Sequence, residues 1–180
     1  KDINYYFTII ESDQPNAIAA PGGYVFITSG LMKMIKNEAE LAGVLAHEIA
    51  HINEKHVFSK IYKEDDEGGD ILSSFLTAKN TSMTVAFNEI SNQALVMVLE
   101  KGLDEEDEFE ADLAAVLYLQ NTGYKSQAYI DLISRLPHKH THSKTHPDIK
   151  DRINSITSIY PKDSFNQGKL LEDRYINEAK

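Results

Sequence analysis

The fold that this chain can adopt is constrained most by residues 37–56, which read N-E-A-E-L-A-G-V-L-A-H-E-I-A-H-I-N-E-K-H. Asn37 is a favoured N-cap residue, and Glu40 three positions later completes a capping box. These signals predict an amphipathic helix that begins here and continues to about Tyr62. Its predicted apolar positions are Leu41, Val44, Leu45, Ile49, Ile52 and Val57.

This helix carries the pattern H-E-x-x-H, formed by His47, Glu48 and His51. Residues four apart on a helix lie on the same face, so both imidazoles can present a ring nitrogen to one point. Glu48 lies one position further round and can reach a water at that point. Two imidazoles, a metal-activated water and a carboxylate that takes its proton form the core of a zinc hydrolase.

A catalytic zinc needs a third protein ligand as well as an open position for water. The chain has no Cys, so that ligand must be His, Glu or Asp. The segment E-F-E-A-D places Glu108 and Asp112 on one face of a second predicted helix, which begins at the N-cap Asp104. Glu108 is the predicted ligand, and Asp112 is the predicted acceptor of a ligand histidine's second N–H. Glu110 is the alternative ligand, and a solvent-facing acidic run is the alternative interpretation of the segment.

The whole chain is predicted to form a single α+β domain over residues 1–180, mostly helical with a small N-terminal antiparallel or mixed sheet. Segments rich in β-branched and aromatic residues predict strands at 3–11 and 24–28, and 17–20 is predicted as a short extended segment that gives the sheet two or three strands. A short helix is predicted at 31–35, and further helices with N-cap residues are predicted at 104–120, 126–135 and 148–159.

Composition excludes several classes of protein. A net charge of −10 and a pI near 5.1 argue against nucleic acid or an anionic membrane surface as a partner. No apolar run approaches the length that spans a bilayer, so no transmembrane segment is predicted. The chain starts at Lys1 without a leader sequence and is interpreted as a mature or trimmed fragment.

Five segments resemble segments of the gluzincin metallopeptidases of the HtpX and CAAX-prenyl-protease family, and they follow one another in the same order as in that family. Two of them are the H-E-x-x-H and E-x-x-A-D segments already described. The others are Asn16-Ala17 followed by P-G-G-Y-V-F-I-T-S-G-L at 21–31, the lead-in E-A-E-L-A-G-V-L-A at 38–46, and T-H-P followed by R-I within 145–153. Together they span about residues 16–153, which is most of the chain.

The resemblance implies a zincin-like fold and zinc-dependent endopeptidase activity on protein or peptide substrates. One Zn²⁺ per chain would be bound by His47, His51 and Glu108, with Glu48 as the general base. An edge strand of the sheet would pair with the substrate backbone, which suits unfolded or misassembled chains. The residues expected at this substrate-binding edge are Asn16, Ala17, Gly22, Gly23, Tyr24 and Val25.

Because it lacks the transmembrane helices of the membrane members, this sequence resembles the soluble, periplasmic branch of the family. A periplasmic or cell-envelope location is therefore expected in preference to a cytoplasmic one. His146 and Arg152 are predicted to donate to the oxyanion that forms at the scissile carbonyl. In the soluble branch, His146 is alternatively expected as a fourth zinc ligand that keeps the enzyme latent. A latent, chaperone-like peptide-binding module on the same fold is the alternative function.

The remaining histidines are predicted to lie outside the site. His56 is predicted as a surface residue at the end of the metal helix. A solvated loop is predicted to contain His138, His140 and His142. A role in a turn is the alternative to substrate binding for Asn16.

Overall fold

The computed structural model describes residues 3–64, 102–137 and 147–178. These ranges form a small N-terminal sheet followed by packed helices, which confirms the predicted α+β class. The strands are β1 (Tyr6–Ile10), β2 (Ala17–Ala20) and β3 (Tyr24–Thr28). The helices are α1 (Ser29–Met34), α2 (Glu38–Asn53), α3 (His56–Glu64), α4 (Glu105–Asn121), α5 (Gln127–Arg135), α6 (Ile149–Ile159) and α7 (Glu172–Glu178), with a 3₁₀ turn at Lys162–Asn166.

The sheet is mixed, with the strand order β1-β3-β2. The central strand β3 pairs parallel with β1 and antiparallel with β2. Tyr24 and Val25 lie on β3, so their backbone has strand neighbours on both sides and cannot form a substrate-binding edge. That part of the prediction is wrong, and the edge strand packed against the metal helix α2 is Ala17–Ala20.

The turn between β2 and β3 requires its two glycines. Gly22 and Gly23 have φ angles of 89° and 90°, a region that side chains disfavour. A Cβ on Gly23 would also lie 2.0 Å from the carbonyl oxygen of Asn4. Both glycines therefore have a structural role in the turn, independent of any contact with substrate.

Helix α2 begins with Asn37 as its N-cap, as predicted, while the Glu40 side chain bonds to the backbone one residue before the cap. Asn37 Oδ1 accepts a hydrogen bond from the Glu40 N–H at 2.9 Å, and Glu40 Oε2 accepts one from the Lys36 N–H at 2.8 Å. Arg135 on α5 donates to the same Glu40 oxygen at 2.7 Å. This buried carboxylate thus joins the start of the metal helix to α5.

Helix α2, which carries His47 and His51, does not continue to Tyr62 as predicted, because it ends at Asn53. Lys55 adopts a left-handed conformation with φ of 61°, and α3 begins at the next residue. Left-handed backbone is uncommon for residues other than Gly, so a Lys gives no signal for this break. The surface prediction for His56 is also wrong, since only 4% of this residue is exposed.

Helix α2 lies between the sheet and the pair α4 and α5. One apolar cluster joins α2 to α4, α5 and α6, and a second joins α2 to β3, α1, α5 and α7. Both helices carry small buried residues, which allow close packing; they are Ala39, Ala46 and Ala50 on α2 and Ala111 and Ala115 on α4. Of the helices that the structure describes, none has the length and apolar character needed to cross a membrane.

Helices α4, α5 and α6 agree with the predictions, although their N-termini differ in detail. Asp148 caps α6, since its Oδ1 accepts from the Lys150 N–H at 2.8 Å. Asp104 and Ser126 precede α4 and α5 as predicted, but neither side chain makes a capping hydrogen bond. Ser126 has helical rather than extended backbone, which removes the geometry that an N-cap side chain needs.

Candidate metal centre

Helices α2 and α4 bring three potential metal ligands together. His47 Nε2 and His51 Nε2 are 3.0 Å apart, and the carboxylate oxygens of Glu108 lie 3.7 Å and 3.5 Å from them. Ligand atoms bound tetrahedrally to one zinc at its usual bond lengths are separated by about 3.3 Å. The three side chains therefore have a geometry that fits a zinc ion.

The same three residues are almost completely withdrawn from solvent. In the described parts of the chain, they form the single group of three or more candidate ligands whose donor atoms converge. Two imidazoles and one carboxylate make a donor set typical of catalytic zinc. Glu108 belongs to this buried cluster, whereas Glu110 is exposed on another face of α4.

Asp112 lies behind His47, one helical turn beyond Glu108. Its Oδ1 is 3.1 Å from His47 Nδ1, which leaves Nε2 of the same ring facing the other ligands. Burial alone would lower the pKa of His47, but the hydrogen bond and charge of Asp112 outweigh it and raise that pKa. This is the geometry by which an outer carboxylate selects the tautomer of a metal-binding imidazole.

Arg152 binds this carboxylate with two hydrogen bonds. Its Nε donates to Asp112 Oδ2 at 2.8 Å, and its Nη2 donates to Oδ1 at 2.6 Å. Burial tends to raise the pKa of Asp112, yet the adjacent guanidinium holds it well below its usual range. Asp112 is therefore ionised in the fold, and it connects Arg152 to His47. The predicted oxyanion role of Arg152 stays a prediction, whereas its described contacts are those of a positioning residue.

Tyr129 on α5 also lies at the site and was not predicted from the sequence. Its hydroxyl donates to Asp112 Oδ1 at 2.7 Å, accepts from Arg152 Nη2 at 3.2 Å and lies 2.9 Å from His47 Nδ1. The ring packs on α2 at Gly43, where an added Cβ would lie 2.6 Å from the ring. Gly43 is one turn before His47, and this small residue on the metal helix was the one available signal that another side chain enters there.

The other predicted residues are distributed as follows. Glu48 is buried on α2 beside His47. Asn16 forms turn contacts, because its backbone N–H donates to Thr28 Oγ1 at 2.9 Å and its Oδ1 accepts from the Ala17 N–H at 3.1 Å. The predictions for His146, and for His138, His140 and His142, fall outside the described residues.

Comparison with known proteins extends these observations. The profile of Peptidase family M48 matches residues 1–160. The chain is 28% identical over 151 residues to the beta-barrel assembly-enhancing protease of Escherichia coli, an alignment that covers 81% of this chain and 31% of that protein. It is also 28% identical over 174 residues to the mitochondrial metalloendopeptidase OMA1 of Schizosaccharomyces pombe, covering 89% of this chain and 48% of the relative.

The chain thus spans about a third of the bacterial relative and about half of the yeast one. The family match includes both metal-binding helices and the helix that carries Arg152. The buried cluster of two histidines and one glutamate could hold the metal ion that a metal-dependent peptidase requires. On the combined basis of the profile match and this geometry, the chain belongs to peptidase family M48, whose members are metallopeptidases that typically use zinc.

Proposed function

We propose that this chain is a zinc-dependent endopeptidase that hydrolyses peptide bonds of unfolded or misassembled proteins of the cell envelope. The observation that carries the proposal is the buried convergence of His47, His51 and Glu108, with Glu48 adjacent on the same helix. Family membership supports the peptidase class. The names of the relatives, one an assembly-enhancing protease and one a mitochondrial metalloendopeptidase, support action on protein substrates.

The proposed chemistry divides between the metal and the protein. His47, His51 and Glu108 would hold a zinc ion, which would supply Lewis acidity, lowering the pKa of a water towards about 7 and polarising the scissile carbonyl. Glu48 accepts the proton of the attacking water and transfers it to the leaving amine. Positioned general bases of this kind contribute roughly 10²–10⁴-fold to rate. His47, held from behind by Asp112, keeps its Nε2 lone pair available for the metal.

We propose that substrate binds as an extended strand along the β2 edge. This strand reads A-I-A-A and packs against α2, so an added strand would run beside the metal helix. Main-chain hydrogen bonds give affinity in this mode, and the small Ala side chains of β2 impose little selectivity. An unfolded protein offers many extended segments with unpaired backbone groups, whereas a folded protein has most of these groups paired, which is the basis of the proposed substrate class. The proposed location is the periplasm or cell envelope.

Cleavage of casein by the zinc-loaded chain tests the catalytic proposal. Chelation should abolish cleavage, and added zinc should restore it. Glu48→Gln should lower the rate by at least roughly 10²-fold while one zinc per chain remains bound, because the substitution removes the base and leaves the ligands. Reduced and carboxymethylated α-lactalbumin should be cut, whereas its folded form should resist.

Glu106→Gln is the matched control, since it makes the same chemical change at an exposed site on the helix of Glu108. Its cleavage rate should equal that of the original chain. Equal rates for Glu48→Gln and Glu106→Gln would overturn the mechanism. A chain that binds zinc and prevents casein aggregation without cutting it would instead support the peptide-binding module.

A further inference from the structure

We infer that His56 is a positioning residue for the proposed zinc ligand His51. The Nδ1 atoms of the two rings are 2.9 Å apart, and the rings meet edge-on with centroids 5.1 Å apart. Both rings are buried, with 2% of His51 and 4% of His56 exposed. At this distance and burial, one nitrogen must donate and the other must accept.

The ligand geometry decides which nitrogen donates. His51 Nε2 faces His47 Nε2 at 3.0 Å and Glu108 Oε1 at 3.5 Å, so Nε2 is the atom that binds the metal. A metal-binding nitrogen carries no proton, and the proton of a neutral His51 is therefore on Nδ1. His51 Nδ1–H must then donate to an unprotonated Nδ1 of His56.

The surroundings of His56 favour the tautomer that this requires. With Nδ1 accepting, the proton of a neutral His56 lies on Nε2. That atom faces two carboxylates of α4, 3.5 Å from Glu110 Oε2 and 3.9 Å from Asp107 Oδ1. These negative groups stabilise an N–H directed towards them. A relay thus runs from the metal position through His51 and His56 to the acidic first turns of α4.

The backbone break after α2 creates this contact. In a continuous helix, residue 56 would lie about 140° round the axis from residue 51. The left-handed Lys55 instead starts α3 so that His56 returns to the buried face of His51. The two ligand histidines are consequently supported differently, His47 by an ionised carboxylate and His51 by a neutral ring. A neutral acceptor fixes the ring of His51 without adding charge.

The inference rests on the proposed zinc site, and zinc affinity tests the two separately. Competition with a chromophoric chelator measures the affinity of the original chain and of three His56 variants. His56→Asn retains an acceptor near the position of Nδ1, His56→Gln places one near Nε2, and His56→Leu has none. We expect affinity to fall roughly 10–100-fold in His56→Leu and His56→Gln, and His56→Asn to remain within a few-fold of the original chain.

Equal affinity in all four proteins would overturn the inference while leaving the zinc site intact. Failure of the original chain to bind zinc would overturn the proposed function itself. Long-range ¹H–¹⁵N correlation spectra of the zinc-bound chain give a readout that does not depend on a variant folding. Nδ1–H in His51 together with Nε2–H in His56 is expected, and Nδ1–H in His56 would refute the relay.

Discussion

Replacement of Arg152 by Met tests whether this residue acts through Asp112. Asp112 is fully buried and ionised, and Arg152 supplies two short charge-assisted hydrogen bonds to it. Met retains most of the apolar volume of Arg but leaves the carboxylate without its cation. Breaking a buried pair in this way costs about 3–5 kcal/mol, because the remaining charge stays desolvated.

That cost is a large fraction of the roughly 5–15 kcal/mol that stabilises a typical domain. At about 2–4 °C per kcal/mol for a chain of this size, the melting temperature should fall by roughly 6–20 °C. The measurement is thermal and urea unfolding of the zinc-free chain, so that metal binding does not add to the difference between variants.

A double-mutant cycle with Asp112→Asn isolates the pair. Adding Arg152→Met to Asp112→Asn should cost at least about 1 kcal/mol less than adding it to the original chain, since no buried charge is then left unpaired. A cost that is the same in both backgrounds, or a single-variant cost below about 1 kcal/mol, would refute the reasoning. A loss of kcat in Arg152→Lys without loss of stability or zinc would favour the oxyanion role instead.

Two further predictions concern Tyr129 and its seat on α2. Tyr129→Phe removes the hydroxyl shared by His47, Asp112 and Arg152, so zinc affinity in chelator competition should fall roughly 10-fold and stability should fall by about 1–3 kcal/mol. Unchanged zinc affinity would show that Asp112 alone orients His47. Gly43→Ala should destabilise the chain in urea unfolding, because overpacking against the Tyr129 ring costs about 1–3 kcal/mol and outweighs the gain of up to about 1 kcal/mol in helix propensity. In a Tyr129→Ala background the ring is gone, and the same substitution should become stabilising; destabilisation in both backgrounds would contradict the argument.

Local rules account for what could be predicted. His47 and His51 share a helical face because of their spacing, and so do Glu108 and Asp112. The capping residues Asn37 and Asp148 act where their side-chain chemistry indicates. These features depend on residues within one or two helical turns of each other, and for that reason they can be derived before any packing is known.

The incorrect predictions concern the sheet edge and the end of α2. The first depends on how distant segments meet, and the second on an unusual local backbone conformation. The strand order β1-β3-β2 depends on how the sheet packs against α2. It makes β2 the edge strand beside α2, whereas Tyr24 and Val25 lie on the central strand. A left-handed residue with a side chain, Lys55, ended α2 without any Gly or Pro to mark the position. His56 was buried as a result.

The sequence by itself determined the chemistry of the candidate metal site, because helical periodicity places His47 beside His51, and Glu108 beside Asp112, without reference to the rest of the chain. Only the tertiary structure decided what supports those ligands. Tyr129 contacts His47 although the two residues are 82 positions apart in the sequence, and Arg152 acts on His47 through Asp112. No local pattern encodes such contacts. Their positions follow from the close packing of α2, α4, α5 and α6, in which a hydroxyl, a carboxylate and a guanidinium complete one another's hydrogen bonds away from water.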